Sequence, residues 1–197
     1  RKEGICGIFL MPNCANPTTC TIPEKRKDEL AQIIAKYNLI LIEDDNTAIP
    51  RNSTETYHSM FYRLPEQTIY ICNSTMTLCN GLRVAFAAFP EKFRVVLLNA
   101  LFHLNIKTSS LDAEIVTELI LSGKAAKILE QKAELAMERN RIFDKIFPEA
   151  VKPGTPSAFF RWLPIPRLTM DEMETERRLL RENVSVYCSY RFTVNRN

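Results

Sequence analysis

The sequence contains no C-x-x-C pair, only two histidines, and no apolar run that approaches the length of a membrane span. Structural zinc sites draw on closely spaced cysteines and histidines, so a metal centre is not favoured. A membrane helix needs about 20 consecutive apolar residues. We therefore expect neither a metal site nor a membrane-spanning segment.

An excess of charge of one sign is also lacking. The formal net charge is +3 at pH 7 over 197 residues, and basic residues stand among acidic ones, as in residues 24–29. Such a balance does not favour nucleic-acid binding by this chain. The first residues have neither the apolar core nor the cleavage site of a signal peptide, so we expect a cytoplasmic protein. Its six cysteines are predicted to be reduced and mostly buried.

The first 45 residues follow the pattern of a strand, a helix and a second strand. Residues 4–11 and 38–42 are apolar runs, residues 12–23 are rich in Pro, Asn and Thr, and residues 24–37 carry apolar side chains at helical spacing. This order is typical of a βαβ unit with parallel strands. Ligands of such sheets bind at the carboxyl ends of the strands, where the loop and the Asp44-Asp45 pair fall.

The rest of the chain predicts further strands and then mostly helices. Trp162, the only tryptophan, is expected in the core of a small C-terminal domain. The predicted elements are strands at 68–72 and 82–89, a loop at 73–81, helices within 91–147 (clearest over 124–147), a linker at 148–156, a strand at 157–163, a helix at 170–181 and a strand at 184–190. We divide the chain into a partial large α/β domain (1–100), connecting helices (101–147) and a partial small α+β domain (148–197).

Three segments resemble class I/II aminotransferases of fold type I. They are LMPNCANPTT (residues 10–19), IEDD (residues 42–45) and NSTMTLCNGLR (residues 73–83). Two more, WLPIP (residues 162–166) and NVSV (residues 183–186), are similar to the aminotransferase-like half of GntR-family, MocR-type transcription regulators. The resemblance implies an α/β fold with a mostly parallel large-domain sheet, followed by a small α+β domain.

The resemblance also implies pyridoxal 5'-phosphate (PLP) chemistry, which requires a lysine that forms an imine with the cofactor. Met76 occupies the position of that lysine. A thioether cannot form an imine, so we expect no catalytic residue of the usual kind and no covalently bound cofactor. Lys92 is the next lysine along the chain, but it lies beyond the fourth predicted strand. We therefore do not expect Lys92 to replace the missing lysine as the imine-forming residue.

The same resemblance implies five cofactor-binding positions. Asp45 matches the carboxylate that pairs with the pyridine nitrogen, and Asn16 matches the amide that bonds the phenolic oxygen. Arg83 matches a phosphate-binding arginine, while Asn73 and Thr75 stand where phosphate-binding serines occur.

Each of these positions also has a plain structural interpretation. The Asp44-Asp45 pair could cap a turn, Asn16 could form an Asn-Pro turn, and Arg83 could make a surface salt bridge.

The tyrosine that usually assists the amide falls at Ala48, so that partner is predicted to be lost. Cys72, Met76 and Cys79 fit a packed core better than a soft-metal site. His58 and His103 receive no role.

The family pattern implies segments that this sequence does not show. They are an N-terminal winged helix for DNA, a phosphate-binding turn of the large domain, and a substrate-carboxylate arginine expected beyond Phe192. Our leading hypothesis is a degenerate, non-catalytic sensor or assembly module of a transcription regulator. Three alternatives stay open for its pocket: PLP bound noncovalently, an adduct of PLP with an amino-acid-like ligand, or no ligand. The losses at Met76 and Ala48 favour weak or absent cofactor binding, whereas Asp45, Asn16 and Arg83 favour a retained pocket. The alternative is a PLP-dependent transaminase represented by an incomplete chain. We expect a homodimer and no specific DNA binding by this chain alone.

Overall fold

A computed structural model describes residues 4–45, 59–105, 107–165 and 171–193. Its strands are β1 (Gly7–Leu10), β2 (Ile40–Asp45), β3 (Thr68–Asn73) and β4 (Ala85–Ala88). Its helices are α1 (Glu24–Lys36), α2 (Ser74–Thr77), α3 (Arg94–Asn105), α4 (Ser110–Leu121), α5 (Lys124–Ile146) and α6 (Glu172–Arg181). Short 3-10 turns lie at Met60–Tyr62, Glu91–Phe93 and Ser189–Arg191.

One four-stranded sheet of order β1-β2-β3-β4 organises the first half of the chain. β1, β2 and β3 are parallel, whereas β4 runs antiparallel to β3. The predicted βαβ unit and the mostly parallel α/β fold are therefore confirmed. The antiparallel direction of β4 follows from its short connection, because only α2 and a few loop residues separate it from β3.

Two apolar clusters hold these elements together. In the first, Ile34 of α1 packs with Leu41, Met60 and Leu64, and Ile8, Leu10 and Leu30 contact its margin. The second joins the segment after β3 to α4 and α5 through Leu78, Val84, Val116 and Ala125. The segment that connects β3 to β4 is thus held against α4 and α5 by its own apolar side chains.

Alternation along β2 separates its side chains onto two faces of the sheet. Leu41, Glu43 and Asp45 are buried, and we call their side the first face; Ile42 and Asp44 are half-buried on the second face. The first face is the one that α1 covers, since Ile34 and Leu41 share a cluster. On the second face, Phe9 of β1 is 58% exposed.

Glu43 joins the first face to the turn at Met60–Tyr62. Its carboxylate accepts hydrogen bonds from Ser59 Oγ at 2.6 Å, Met60 N at 3.1 Å and Phe61 N at 2.9 Å. These bonds satisfy the first N–H groups of the turn. Burial raises the pKa of Glu43 above its usual value, and the three hydrogen bonds lower it in part.

The second half of the chain corrects two predicted strands. Residues 157–163 and 184–190 form no strand, because no neighbouring strand among the described residues pairs with them. The backbone of the second segment bonds side chains of α6 instead, as where Cys188 N donates to Glu176 at 2.7 Å. Trp162 is half-buried and meets Phe192 edge-to-face at 6.3 Å.

Helix α5 begins after Gly123, whose φ of 73° is the left-handed conformation that glycine adopts readily. The buried positions of α5 are Ala125, Leu129, Ala136 and Asn140. The large apolar side chains of Leu135, Ile142 and Ile146 are mostly exposed. On this side, Ala125 packs with Val116 of α4, and Asn140 Nδ2 donates to the carbonyls of Pro156 at 2.8 Å and Ala158 at 3.0 Å. No described helix is long and apolar enough to cross a membrane.

Replacing Ile34 by alanine should lower the free energy of unfolding by about 2–5 kcal/mol, because a buried side chain leaves a cavity. Ile33, its neighbour in α1, is 45% exposed and serves as the control. Ile33→Ala should cost about 1 kcal/mol or less. Urea denaturation of both variants makes the comparison, and equal losses would contradict the position of the first apolar cluster.

A Glu43→Gln variant should reveal the raised pKa of Glu43. The folded state holds this proton more tightly than the unfolded chain does. The stability that Glu43 contributes is therefore full below its unfolded pKa and is lost as the pH rises through its folded pKa. We expect the stability advantage of wild type over the variant to be greatest in acid and to shrink towards neutral pH.

The measurement is urea denaturation of both proteins over a pH series. At each pH, the free energy of unfolding of the variant is subtracted from that of wild type. The difference cancels the titration of the other groups, which both proteins share. An advantage that grows with pH would contradict the assignment.

Candidate functional site at the carboxyl edge of the sheet

The ends of three strands meet at one edge of the sheet. Leu10 pairs with Glu43 and Asp45 pairs with Cys72, so β1, β2 and β3 finish at nearly the same level. β4 starts at this edge, where Ala85 pairs with Asn73. The topology thus brings to one edge all five residues that the sequence singled out: Asn16, Asp45, Asn73, Thr75 and Arg83.

The turn that follows β3 is held by Asn73 and Ser74. Asn73 Oδ1 accepts a hydrogen bond from Thr75 N at 3.1 Å, which caps the single turn of α2. Ser74 Oγ lies within hydrogen-bonding distance of the carbonyls of Leu82 and Val84, at 3.1 and 3.0 Å. The segment expected to be a loop at 73–81 therefore contains a helical turn with a defined shape.

Met76 lies in this turn and is half-buried. The ammonium of Lys132, on α5, donates to the carbonyl oxygens of Met76 at 3.0 Å and Leu78 at 2.8 Å. Lys132 therefore fastens the turn to α5 through backbone groups. Lys92 lies in the turn at Glu91–Phe93, with its ammonium 5.2 Å from the centre of the Phe93 ring.

The side chain of Asp45 is enclosed on the first face. It is 1% exposed and accepts a hydrogen bond from Asn13 Nδ2 at 3.3 Å. Its negative charge adds to burial in raising the pKa values of neighbouring groups. Burial and Asp45 together raise the pKa of the Cys14 thiol to about 11, and both also raise the pKa of Tyr70.

Asp44 lies on the second face, the same face as Asn73. Register shows this, because Asp44 pairs with Ile71, and Asn73 lies two residues beyond Ile71 on β3. Asp44 is half-buried, and burial followed by repulsion from Asp45 raises its pKa. The sequence interpretation chose Asp45 for the site. The period-two alternation of a strand is the signal that separates the two carboxylates.

The other expected site residues differ in exposure. Asn16 and Arg83 are exposed in loops, and Thr75 is half-buried in α2. Ala48, where the family places a tyrosine, and His58 both lie outside the described residues. His103 is exposed on α3, with its ring 5.9 Å from that of Phe102.

All six cysteines are unpaired thiols, but the prediction that most are buried is wrong. Only Cys14 is buried; Cys72 and Cys188 are intermediate, and Cys6, Cys20 and Cys79 are exposed. The exposed thiols lie at the start of the sheet and in connecting loops, where less of the chain packs around them. Within the described ranges, no three His, Cys, Asp or Glu side chains group together as a metal site would need.

Comparison with known sequences finds both regulators and transaminases. No family model matches the chain. It is 31% identical over 194 residues to the uncharacterized HTH-type transcriptional regulator YdeF of Bacillus subtilis, which covers 98% of this chain and 41% of the regulator. It is 27% identical over 190 residues to 2-aminoadipate transaminase of Thermus thermophilus, which covers 90% of this chain and 47% of that enzyme. The chain thus spans less than half the length of either relative.

Comparison with solved structures agrees on the fold. The alpha-aminoadipate aminotransferase LysN of Thermus thermophilus, solved with N-(5'-phosphopyridoxyl)-L-leucine, superposes with a TM-score of 0.70 at 24% identity. The match covers 91% of this chain and 48% of the enzyme. Together with the mostly parallel sheet, these likenesses show that the chain is an aminotransferase-like domain with the fold of the PLP-dependent aminotransferases of fold type I.

Proposed function

We propose that the chain is a non-catalytic module of a GntR-family, MocR-type transcription regulator, which binds PLP without a covalent bond. The observation that carries this proposal is the turn after β3. It keeps polar residues suited to an anion but has the thioether of Met76 in the place of an imine-forming lysine. The similarity to an HTH-type regulator over 98% of the chain supports the regulatory part of the proposal.

The residues at the edge fit most of the cofactor. Thr75 offers a hydroxyl, Asn73 an amide and Arg83 an exposed guanidinium, which suit a phosphate group. Asn16 is the proposed partner of the phenolic oxygen. When bound, the cofactor would supply an electron-withdrawing ring and an aldehyde, but without a lysine at position 76 the chain has no amine there to hold the aldehyde.

For the pyridine nitrogen we propose Asp44 in place of Asp45. Asp45 is enclosed on the first face and already bonds Asn13, whereas Asp44 shares the second face with Asn73. A carboxylate beside the ring nitrogen favours the protonated form of the ring. Asp45 then belongs to the support of the site.

We also propose the division into residues 1–100, 101–147 and 148–197, and a homodimer in the cytoplasm that accepts an amino-acid-like ligand. Support for self-association comes from apolar side chains on α3 that are at least half exposed: Val95, Val96, Leu98, Leu101, Phe102 and Leu104. Specific DNA contact would come from a separate domain of the regulator, and we expect none from this chain.

The second candidate is a PLP-dependent transaminase represented by an incomplete chain, which the similarity to 2-aminoadipate transaminase favours. It requires an amine other than residue 76 to reach the cofactor. Lys132 is the lysine whose ammonium bonds the turn, but both of its observed hydrogen bonds go to backbone carbonyls. We therefore place this candidate second.

Titration with PLP, followed by visible absorbance, tests the proposed site. Wild type should perturb the cofactor spectrum saturably. Asp44→Asn should weaken binding by on the order of tenfold, because a charged hydrogen bond is lost. Asp45→Asn should weaken binding less and should instead lower the free energy of unfolding by about 1–3 kcal/mol. A larger loss of affinity in Asp45→Asn than in Asp44→Asn would return the cofactor role to Asp45.

A Met76→Lys variant should gain a covalent link to the cofactor. Its amine would stand in the turn beside the proposed phosphate and ring contacts. Borohydride reduction after incubation with PLP should therefore attach the cofactor at position 76, as read by peptide mass spectrometry. Met76→Arg is the matched control, because it adds a cation that does not form an imine. Equal labelling of surface lysines in all variants, with none at position 76, would speak against a site at this turn.

A further inference from the structure

Helix α1 carries an ammonium group that is almost completely enclosed. Lys27 is 2% exposed, although lysine is rarely fully buried unless its charge is paired. Its Nζ donates to Glu24 Oε1 at 2.9 Å and to Asn13 Oδ1 at 3.1 Å. One of these contacts lies within α1, and the other reaches the loop that follows β1.

The side chain of Asn13 connects Lys27 to Asp45 of β2. Its Nδ2 donates to Asp45 Oδ2 at 3.3 Å, while its Oδ1 accepts from Lys27. The amide thus presents its acceptor to the ammonium and its donor to the carboxylate. The flipped amide would place two donors together at Lys27 and two acceptors together at Asp45. We call Lys27, Asn13 and Asp45 the buried relay.

The outer end of the relay is held as well. Glu24 Oε2 accepts from Arg63 NH2 at 2.6 Å, and Arg63 Nε donates to Asp28 Oδ1 at 2.7 Å. Arg63 follows the turn at Met60–Tyr62, which Glu43 of β2 caps. Helix α1 is therefore bonded to the loop after β1 through Lys27, and to the residue after the turn at Met60–Tyr62 through Glu24 and Asp28.

The loop that the relay fixes carries Asn16. Inside this loop, Ala15 N donates to Cys20 O at 2.8 Å, and Ile22 N donates to Pro12 O at 2.8 Å. These bonds close the loop on itself but do not attach it to the end of β2. The buried relay does, since Asn13 bonds Asp45 directly.

We propose that Lys27 is a positioning residue of the candidate cofactor site. It acts through Asn13 and Asp45 to hold the loop of Asn16 against the carboxyl end of β2. The effect on cofactor affinity rests on the proposed function, whereas the fixing of the loop does not. Two separate readouts therefore test the two parts.

The first readout is alkylation of Cys14, which is 1% exposed and lies next to Asn13 in this loop. With N-ethylmaleimide and peptide mass spectrometry, Lys27→Met should label Cys14 at least about tenfold faster than wild type, as loss of a charged hydrogen bond implies. Lys27→Arg should restore much of the protection. Lys25→Met, at an exposed position of the same helix, is the matched control and should leave the rate unchanged.

Labelling of Cys72 separates local from global opening. Cys72 lies on β3 opposite Asp45, outside the loop. Acceleration of Cys14 alone supports the relay, whereas equal acceleration of both thiols would show general destabilisation and overturn it. If Lys27→Met does not fold, Asn13→Ala breaks the same connection with both charges kept. The relay then predicts faster labelling of Cys14 alone, and unchanged protection would overturn it.

The second readout is PLP affinity, measured by the same absorbance titration. Lys27→Met should weaken binding roughly threefold, less than one charged hydrogen bond is worth, with recovery in Lys27→Arg. Unchanged affinity alongside faster Cys14 labelling would remove the link to the site and overturn the positioning role. If wild type itself binds no PLP, the proposed function fails, and Cys14 labelling alone then decides whether Lys27 fixes the loop.

Discussion

Side-chain alternation along β2 is the constraint on which the organisation of the site depends. Glu43, Asp44 and Asp45 are consecutive acidic residues, yet a strand must send them to alternate faces. Glu43 caps the turn at Met60–Tyr62, and Asp45 ties the loop after β1 to the sheet. Asp44 alone lies on the face shared with Asn73. Two of the carboxylates therefore have structural partners, and Asp44 is the one that we propose for the cofactor.

Support and binding are divided between different groups at this edge. Lys27 of α1 bonds Asn13 in the loop after β1, Asn13 in turn bonds Asp45 of β2, and Lys132 attaches the turn after β3 to α5. The residues proposed to contact the cofactor are less enclosed, as with exposed Asn16 and Arg83. Met76 argues against transamination at this site, because that reaction needs an amine that forms an imine with the cofactor, and a thioether has none. These features support the non-catalytic binding module that we propose.

Local pattern was enough to predict the part of the fold where neighbours in sequence are neighbours in space. The βαβ unit, helix α1 and the placement of the loops at one edge followed from apolar spacing and turn residues. The strands at 157–163 and 184–190 did not form, since a strand exists only with a partner to pair with. The choice between Asp44 and Asp45 required knowing which residues of β3 pair with β2, because this pairing shows which carboxylate shares a face with Asn73. The sequence alone does not give this pairing. The roles of Lys27 and Lys132 depend on contacts 14 and 56 residues away in sequence.

The most direct test of the central claim is borohydride reduction of the wild-type chain saturated with PLP, followed by mass spectrometry of the intact protein and its peptides. The account predicts a perturbed cofactor spectrum before reduction and no stoichiometric adduct at any lysine afterwards. A single stoichiometric adduct, at Lys132 or any other lysine, would contradict it and would support the transaminase candidate instead.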